Sequence, residues 1–347
     1  MSVTEEESAA MHRALALAET VRGRTSPNPA VGAVILGADG RLAGEGATAP
    51  AGEAHAEIAA LQHSGPAARG GTAVVTLEPC AHTGRTGPCA DALVAAGVVR
   101  VVYAVDDPNP DAAGGAQVLR DAGVEVVSGV EAHAAASGAL RPWLHAVRTG
   151  RPYVTWKFAA TLDGRVGAAD LTSRWISSAA SRADAHRLRG LVDAILVGSG
   201  TVLADDPHLT ARDGDALADR QPVRVVLDRR HRLPDDARIL DGAAETVVLD
   251  TAAPRFALKA LYDRGVRHVL LEGGPTLAGA FVEARCVDEV VAYLAPLLLG
   301  AGPAALADAG IGTLADAAML DVESVSRLGD DVKVVARPRW VEHGTEE

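Results

Sequence analysis

Two of the chain's three cysteines, Cys80 and Cys89, fall in one stretch, LEPCAHTGRTGPCA (77–90). Upstream, GEAHAEIAALQ (52–62) places His55 two residues before Glu57. One imidazole and two thiolates suit a zinc ion that keeps its fourth position for water. A metal held this way lowers the pKa of that water toward neutrality. A nearby carboxylate that is not a ligand then moves protons from the water to a leaving group. Near a helix start, positions i and i+2 such as His55 and Glu57 can both line one pocket mouth. The implied chemistry is attack of water on an amino-bearing ring carbon, with loss of ammonia.

Each residue taken singly has a plainer use. A lone Cys is usually a small buried hydrophobe, and Cys286 is read that way. Cys80 and Cys89 can also belong to a purely structural metal site, with His82 as a candidate fourth ligand. What points to catalysis is the combination of H-x-E, then P-C, then a second Cys. It is the signature of zinc deaminases, here with eight residues between the cysteines instead of two.

These side chains need elements to hold them. Thr4 and Glu7 fit a capping box before a helix over 5–22, with Met11, Leu15 and Ala18 on its apolar face. A Pro- and Asn-bearing turn leads into a strand over 30–36, and ADG (38–40) turns the chain into a strand near 41–47. A helix is expected over 55–62. TAVVTL (72–77) reads as a strand ending at the cysteine loop. A helix over 90–96 and a strand over 99–105 follow. GALRPWLHAVRTGRP (138–152) breaks the pattern with two prolines and several charges, so the domains are placed at 1–147 and 148–347. Beyond it, strands are expected over 153–159, 193–198, 222–228, 246–250 and 267–272, with helices over 179–191 and 277–284. Both halves are α/β.

Composition narrows the classes. A chain of 347 residues suggests two domains. It is 48% hydrophobic and 22% charged, as ordinary globular proteins are. Aromatics are only 3%, so the cores must be built from Ala, Val and Leu. The net charge of −12 argues against a nucleic-acid footprint but allows a local basic pocket for a phosphorylated small molecule. No apolar run reaches about 18 residues, so no membrane helix is expected. MSVTEEESAA is acidic and lacks an apolar segment, so it is not read as a secretory signal. A cytoplasmic location is the default.

In order, SPNPAVGAVI, AHAE, TLEPCAHTGRTGPC and DDPNP resemble the deaminase half of the bifunctional riboflavin-biosynthesis deaminase–reductases. WKFAATLDGR, SRWIS, TVLADDPHLTAR and LLEGGPTLAGAF resemble the reductase half, so the likeness covers nearly the whole chain. It implies a cytidine-deaminase-like α/β/α sandwich followed by a dihydrofolate-reductase-like α/β domain. It also implies two reactions. The first deaminates 2,5-diamino-6-(ribosylamino)-4(3H)-pyrimidinone 5′-phosphate, and the second uses NADPH to reduce the ribosyl group to ribityl.

By the same resemblance, His55, Cys80 and Cys89 hold Zn2+, Glu57 is catalytic, and Asn28, His82, Arg85, Asp107 and Asn109 lie on the substrate side. Asn and Asp suit a ring edge and Arg suits phosphate. Read alone, Asn28 and Asn109 are turn residues beside prolines. Two positions depart from the pattern: Thr48 stands where a histidine is expected, and Gly87 where a proline is usual.

The second half lacks G-x-G-x-x-G. It has Glu272-Gly273-Gly274-Pro275-Thr276 between a strand and a helix, which suits phosphate against a helix N-terminus or a plain turn. The resemblance favours the first. It places Ala160, Trp175, Thr201, Asp205, Gly274, Pro275 and Thr276 along NADPH. It places Lys157, Ser173, Arg189, Leu209, Arg212 and Glu272 toward the ribose phosphate substrate. Lys157 and Glu272 are candidates for the unassigned proton donor. Expected partners are phosphorylated pyrimidines and further copies of the chain as a homo-oligomer, with neither nucleic acid nor membrane. The rival readings are a nucleic-acid or nucleoside zinc deaminase with an inactive or unrelated second half, and a non-catalytic metal-stabilised binding protein.

Overall fold

Thr4 Oγ1 accepts the Glu7 N–H at 3.2 Å and Glu7 Oε2 accepts the Thr4 N–H at 3.0 Å. This reciprocal cap starts helix α1 (Glu5–Thr20). The computed structural model describes residues 3–82 and 87–340. It divides into two units, Met1–Arg151 and Pro152–Glu347.

In the first unit α1 is followed by the hairpin β1 (Gly32–Leu36) and β2 (Leu42–Ala47). Then come α2 (Ala56–Ser64), β3 (Thr72–Leu77), α3 (Cys89–Ala96), β4 (Arg100–Val105), α4 (Gly115–Asp121), β5 (Glu125–Ser128), α5 (Ala132–Ser137) and α6 (Arg141–Thr149). The sheet order is β2-β1-β3-β4-β5, with β1 antiparallel to both neighbours and β3, β4 and β5 parallel. Glycines set how closely helices approach. A Cβ on Gly32 would lie 1.9 Å from the Ala14 carbonyl oxygen of α1. One on Gly46 would lie 2.7 Å from the Ala56 oxygen of α2. Gly46 pairs with Ala33, the neighbour of Gly32, and successive strand residues point to opposite faces. Helices α1 and α2 therefore cover opposite faces, which makes an α/β/α sandwich. The close seat of α2 on β2 fixes the position of His55 and Glu57.

The segment 138–152, expected to be a break, is mostly helix α6. Pro142 sits in its first turn, where a missing N–H costs nothing, and Gly150 closes it at φ 69°. Residues 115–137, given no elements by sequence, form α4, β5 and α5.

The second unit runs β6 (Tyr153–Thr161), α7 (Ala179–Gly190), β7 (Ala194–Gly198), α8 (Ser199–Asp205), the short β8 (Arg212–Asp213) and β9 (Ala216–Leu217), and β10 (Val223–Leu227). It continues with β11 (Thr246–Leu249), α9 (Pro254–Asp263), β12 (His268–Leu271), α10 (Pro275–Glu283), β13 (Glu289–Ala295), β14 (Met319–Leu328) and β15 (Asp331–Arg339). Its main sheet has the order β11-β10-β7-β12-β6-β13-β15-β14. The first six strands are parallel, and β15 and β14 are antiparallel. The central strands are buried, hence their apolar runs. Sequence reading missed α8, α9 and β13–β15. Strand β14, at the sheet edge, is almost wholly exposed and lacks a buried stripe to announce it.

Candidate active sites

Strand β3 delivers Leu77 to the sheet end, and the chain continues through Glu78 and Pro79 to Cys80. Cys89 opens α3, and His55 is the N-cap residue of α2, where its ring makes no capping bond. Three elements thus bring His55, Cys80 and Cys89 together, with one ligand atom from each inside a 4.8 Å span. His55 Nδ1 lies 3.7 Å from Cys80 Sγ and 3.3 Å from Cys89 Sγ. Ordinary zinc bond lengths at a tetrahedral angle put N and S about 3.6 Å apart, so the trio fits that ion. His82 stands outside the cluster, so among the described residues the four-ligand structural site lacks its fourth ligand. The Cys89 N–H points at Cys80 Sγ, 3.4 Å away. The Cys80 thiol is pulled down to about 4, first by its hydrogen bond with Cys89 and also by His55. Cys89 is pushed up by its bond to Cys80 and by burial, so the pair's first negative charge settles on Cys80.

Glu57 lies in the first turn of α2 and is 5% exposed. Burial pushes its carboxyl up to about 7, where a group accepts and returns protons near neutral pH. A cavity of about 150 Å³ joins His55, Cys80 and Glu57 to Asn28, His82, Asp107 and Asn109. Burial is the first cause that raises the Asp107 carboxyl, to about 6. Asn109 Oδ1 accepts the Asp111 N–H at 3.2 Å, so Asn109 serves its turn while lining the cavity. His82 Nδ1 is buried without a hydrogen-bond partner. Arg85 lies outside the described residues.

Thr48 also lines the cavity, but its hydroxyl is engaged with the backbone of Val31 at 3.1 and 3.4 Å. A Cβ on Gly87 would meet nothing within 4 Å, so space does not explain that glycine. Among the cavity residues that sequence reasoning missed are Trp143 and Glu78. Trp143 comes from α6, within the segment read as a boundary, and no local pattern announces it. Glu78 lay in plain view beside Cys80, without a role.

In the second unit, Lys157 on β6, Arg189 on α7 and Glu272 after β12 converge. Arg189 donates to both Glu272 oxygens at 2.6 and 2.9 Å, and Lys157 Nζ lies 3.5 Å from Glu272 Oε2. Burial works to raise the Glu272 carboxyl, but Arg189 and Lys157 hold it down to about 2. A second group forms where β7 and β12 end. The Gly274 N–H, at the start of α10, donates to Thr201 Oγ1 of α8 at 3.2 Å. Pro275 and exposed Thr276 begin α10. This strand-to-helix turn has no side-chain cap of its own and suits a pyrophosphate at a helix N-terminus. Trp175, 69% exposed, lies under the Arg182 guanidinium at 4.5 Å, and Arg174 donates to the Asp205 carbonyl oxygen at 2.6 Å. Ala160 is buried on β6. Leu209 is buried at φ 49°, an uncommon backbone state for a branched residue. Arg212 donates to the Asp215 carbonyl oxygen, and Ser173 accepts from Ile176 N–H at 3.2 Å. The described contacts do not draw these last four into the Lys157–Arg189–Glu272 group.

A His/Cys/Cys deaminase centre and a dihydrofolate-reductase-like unit in one chain define a bifunctional deaminase–reductase. The comparisons agree. Residues 4–105 match the cytidine and deoxycytidylate deaminase zinc-binding region, and residues 152–334 match the RibD C-terminal domain. The riboflavin biosynthesis protein RibD of Mycobacterium tuberculosis is 51% identical over 331 residues, covering 94% of this chain and 97% of that protein. Acinetobacter baumannii RibD superposes with a TM-score of 0.87 at 38% identity, covering 97% of this chain and 99% of its own. A diaminohydroxyphosphoribosylaminopyrimidine deaminase/5-amino-6-(5-phosphoribosylamino)uracil reductase from Thermotoga maritima superposes with a TM-score of 0.89 at 32% identity, covering 96% and 99%. The chain belongs to the RibD family of riboflavin-biosynthesis enzymes. Its cofactors are zinc for the deaminase and NADPH for the reductase. Among the described residues no helix is long and apolar enough to cross a membrane.

Proposed function

We propose that the first unit, residues 1–151, deaminates 2,5-diamino-6-(ribosylamino)-4(3H)-pyrimidinone 5′-phosphate and the second, residues 152–347, then reduces the ribosyl group of the product; the boundary expected at 147 falls inside α6. The observation that carries this reading is the convergence of His55, Cys80 and Cys89 on one point, beside a cavity that His55, Cys80 and buried Glu57 line. Zinc, held by His55, Cys80 and Cys89, supplies an acidified water near neutral pH. Glu57 takes one proton from the attacking water and gives it to the ring nitrogen, then takes the remaining hydroxyl proton and gives it to the amino group as that leaves as ammonia. Asn28, Asp107 and Asn109 read the ring edge, His82 lines the same cavity on the substrate side, and Arg85 is assigned to the phosphate.

In the reductase half NADPH supplies the hydride. Thr201, Asp205 and the turn Gly274–Thr276 hold it, with Ala160 and Trp175 along its length. Arg189 and Arg212 bind the phosphate side of the substrate, and Ser173 and Leu209 line its path. Glu272, with its carboxyl held near 2, has no proton to give at neutral pH, which leaves Lys157 to polarise the sugar carbonyl. The enzyme works as a cytoplasmic homo-oligomer on phosphorylated pyrimidines and not on nucleic acid. One assay tests the core of this reading: purified protein, the diaminopyrimidine substrate and NADPH, with ammonia release and NADPH absorbance followed together. Ammonia release followed by NADPH oxidation is expected. Faster deamination of RNA or single-stranded DNA than of the nucleotide would overturn it.

A further inference from the structure

The loop between β4 and α4 carries Asp107 and Asn109 to the cavity, and both of its ends hang from one side chain. Glu78 is 8% exposed and stands two residues before Cys80. Its Oε2 accepts the Asp107 N–H at 3.2 Å. Its Oε1 accepts the N–H groups of Gly114 at 3.3 Å and Ala116 at 2.9 Å. The loop is pressed onto the segment that carries Cys80 elsewhere too. The Ala81 N–H donates to the Ala112 carbonyl oxygen at 3.0 Å, and Ala112 packs with Cys80 and Cys89. A Cβ on Gly115 would lie 1.7 Å from the Pro79 oxygen, so α4 starts in direct contact with the residue between Glu78 and Cys80.

We propose that Glu78 is a positioning residue for deamination, setting the separation between the Cys80 wall of the cavity and the Asp107–Asn109 wall. Hydrogen bonds to a carboxylate are roughly twice as strong as neutral ones, and three of them converge here from loop backbone. An apolar residue at position 78 would leave three N–H donors without their acceptor. The proposal rests on the reading of Asp107 as a substrate-side group. It assigns Glu78 no contact with the reacting atoms, because its oxygens are committed to the loop.

Glu78→Gln tests it. The amide oxygen still serves Gly114 and Ala116, while the amide N–H2 turns toward the Asp107 N–H and releases that end. KM for the diaminopyrimidine substrate should rise about tenfold, the size of one lost charged hydrogen bond. The turnover number should change by less than about threefold, with full zinc content and unaltered NADPH oxidation on the deaminated substrate. Glu78→Ala should move KM further the same way. Asp107→Asn is assayed alongside. If it leaves KM unchanged, the substrate-side reading of Asp107 fails. If it raises KM while Glu78→Gln does not, the positioning role fails. Turnover lost in proportion to zinc at constant KM, or an unfolded Gln variant, would make Glu78 a structural support only and also overturns the proposal.

Discussion

At the residue scale, the deaminase half depends on separating metal binding from proton transfer. His55, Cys80 and Cys89 converge on one point, while Glu57 is buried beside them outside the ligand set. Glu57→Gln should keep zinc, measured by metal analysis, and lose at least about 100-fold in deamination. Lys157 and Glu272 give a similar test in the other half. Lys157→Met removes the only group of the Lys157–Arg189–Glu272 cluster assigned to the carbonyl. It should cut the turnover of the deaminated substrate by about 100-fold or more while leaving ammonia release unchanged. Equal NADPH oxidation by both forms would remove Lys157 from the mechanism. His55, Glu57, Cys80 and Cys89 were legible because the chemistry demands those residue types and they fall in short stretches, HAE and the PC-bearing loop, that carry the signature. Trp143 was not, since it reaches the cavity from a helix 54 residues beyond Cys89 in the chain (143 − 89).

At the element scale, close backbone contacts and buried polar anchors hold the site-bearing elements. Gly44 and Gly46 let α2 lie on β2, and the alternation of glycines along one strand face was visible in LAGEGA without indicating which helix would use it. Arg224 shows the opposite case. Within VRVVL it looks like the solvent-facing member of an alternating strand, yet its side chain is 0% exposed. Its guanidinium bonds to Asp241 Oδ1 at 2.7 Å and to the carbonyl oxygens of His208, Asp241 and Ala244. It ties β10 to the chain before β11. Arg224→Ala should destabilise the second unit by about 1–3 kcal/mol, read by urea denaturation, because four hydrogen bonds from a buried guanidinium are lost while the partly exposed Asp241 is screened by solvent. A change below about 1 kcal/mol would mean the acceptors find water instead.

At the scale of the whole molecule, acid sensitivity follows from carboxyls held down in the folded state. Glu272 is lowered from 4.5 to about 2, against the pull of burial, by Arg189 and Lys157. Asp184 is lowered from 3.8 to about 2, again against burial, by Lys333, Tyr293 and Arg187. A carboxyl with a lower pKa folded than unfolded binds fewer protons when folded. Its stabilisation is complete above the unfolded value and lost as pH falls through the folded one. The urea midpoint of the second unit should therefore fall steadily between about pH 4.5 and 2, and a flat profile there would count against these ion pairs. The division at Arg151 and Pro152 suggests a second test. Residues 1–151 alone should release ammonia from the diaminopyrimidine substrate, and residues 152–347 should oxidise NADPH with the deaminated one. Inactive but folded halves would show that each site needs the other unit.

The sequence by itself determined the chemistry of the first site, the order of the two halves and most of the buried strands. Metal-ligand spacing, apolar runs and turn residues are local, so one stretch of chain carries each signal. Only the tertiary structure decided what the long-range partners do. It made Leu77, Glu78, Cys80 and His82 of LEPCAHTGRTGPCA one edge of a cavity whose other walls come from Asn28, Asp107 and Trp143. It also showed Glu78 suspending the Asp107 loop, and Arg189 and Lys157 meeting on Glu272. The reason is physical. A buried charge persists only where partners gather around it, and those partners arrive through the fold from distant parts of the chain.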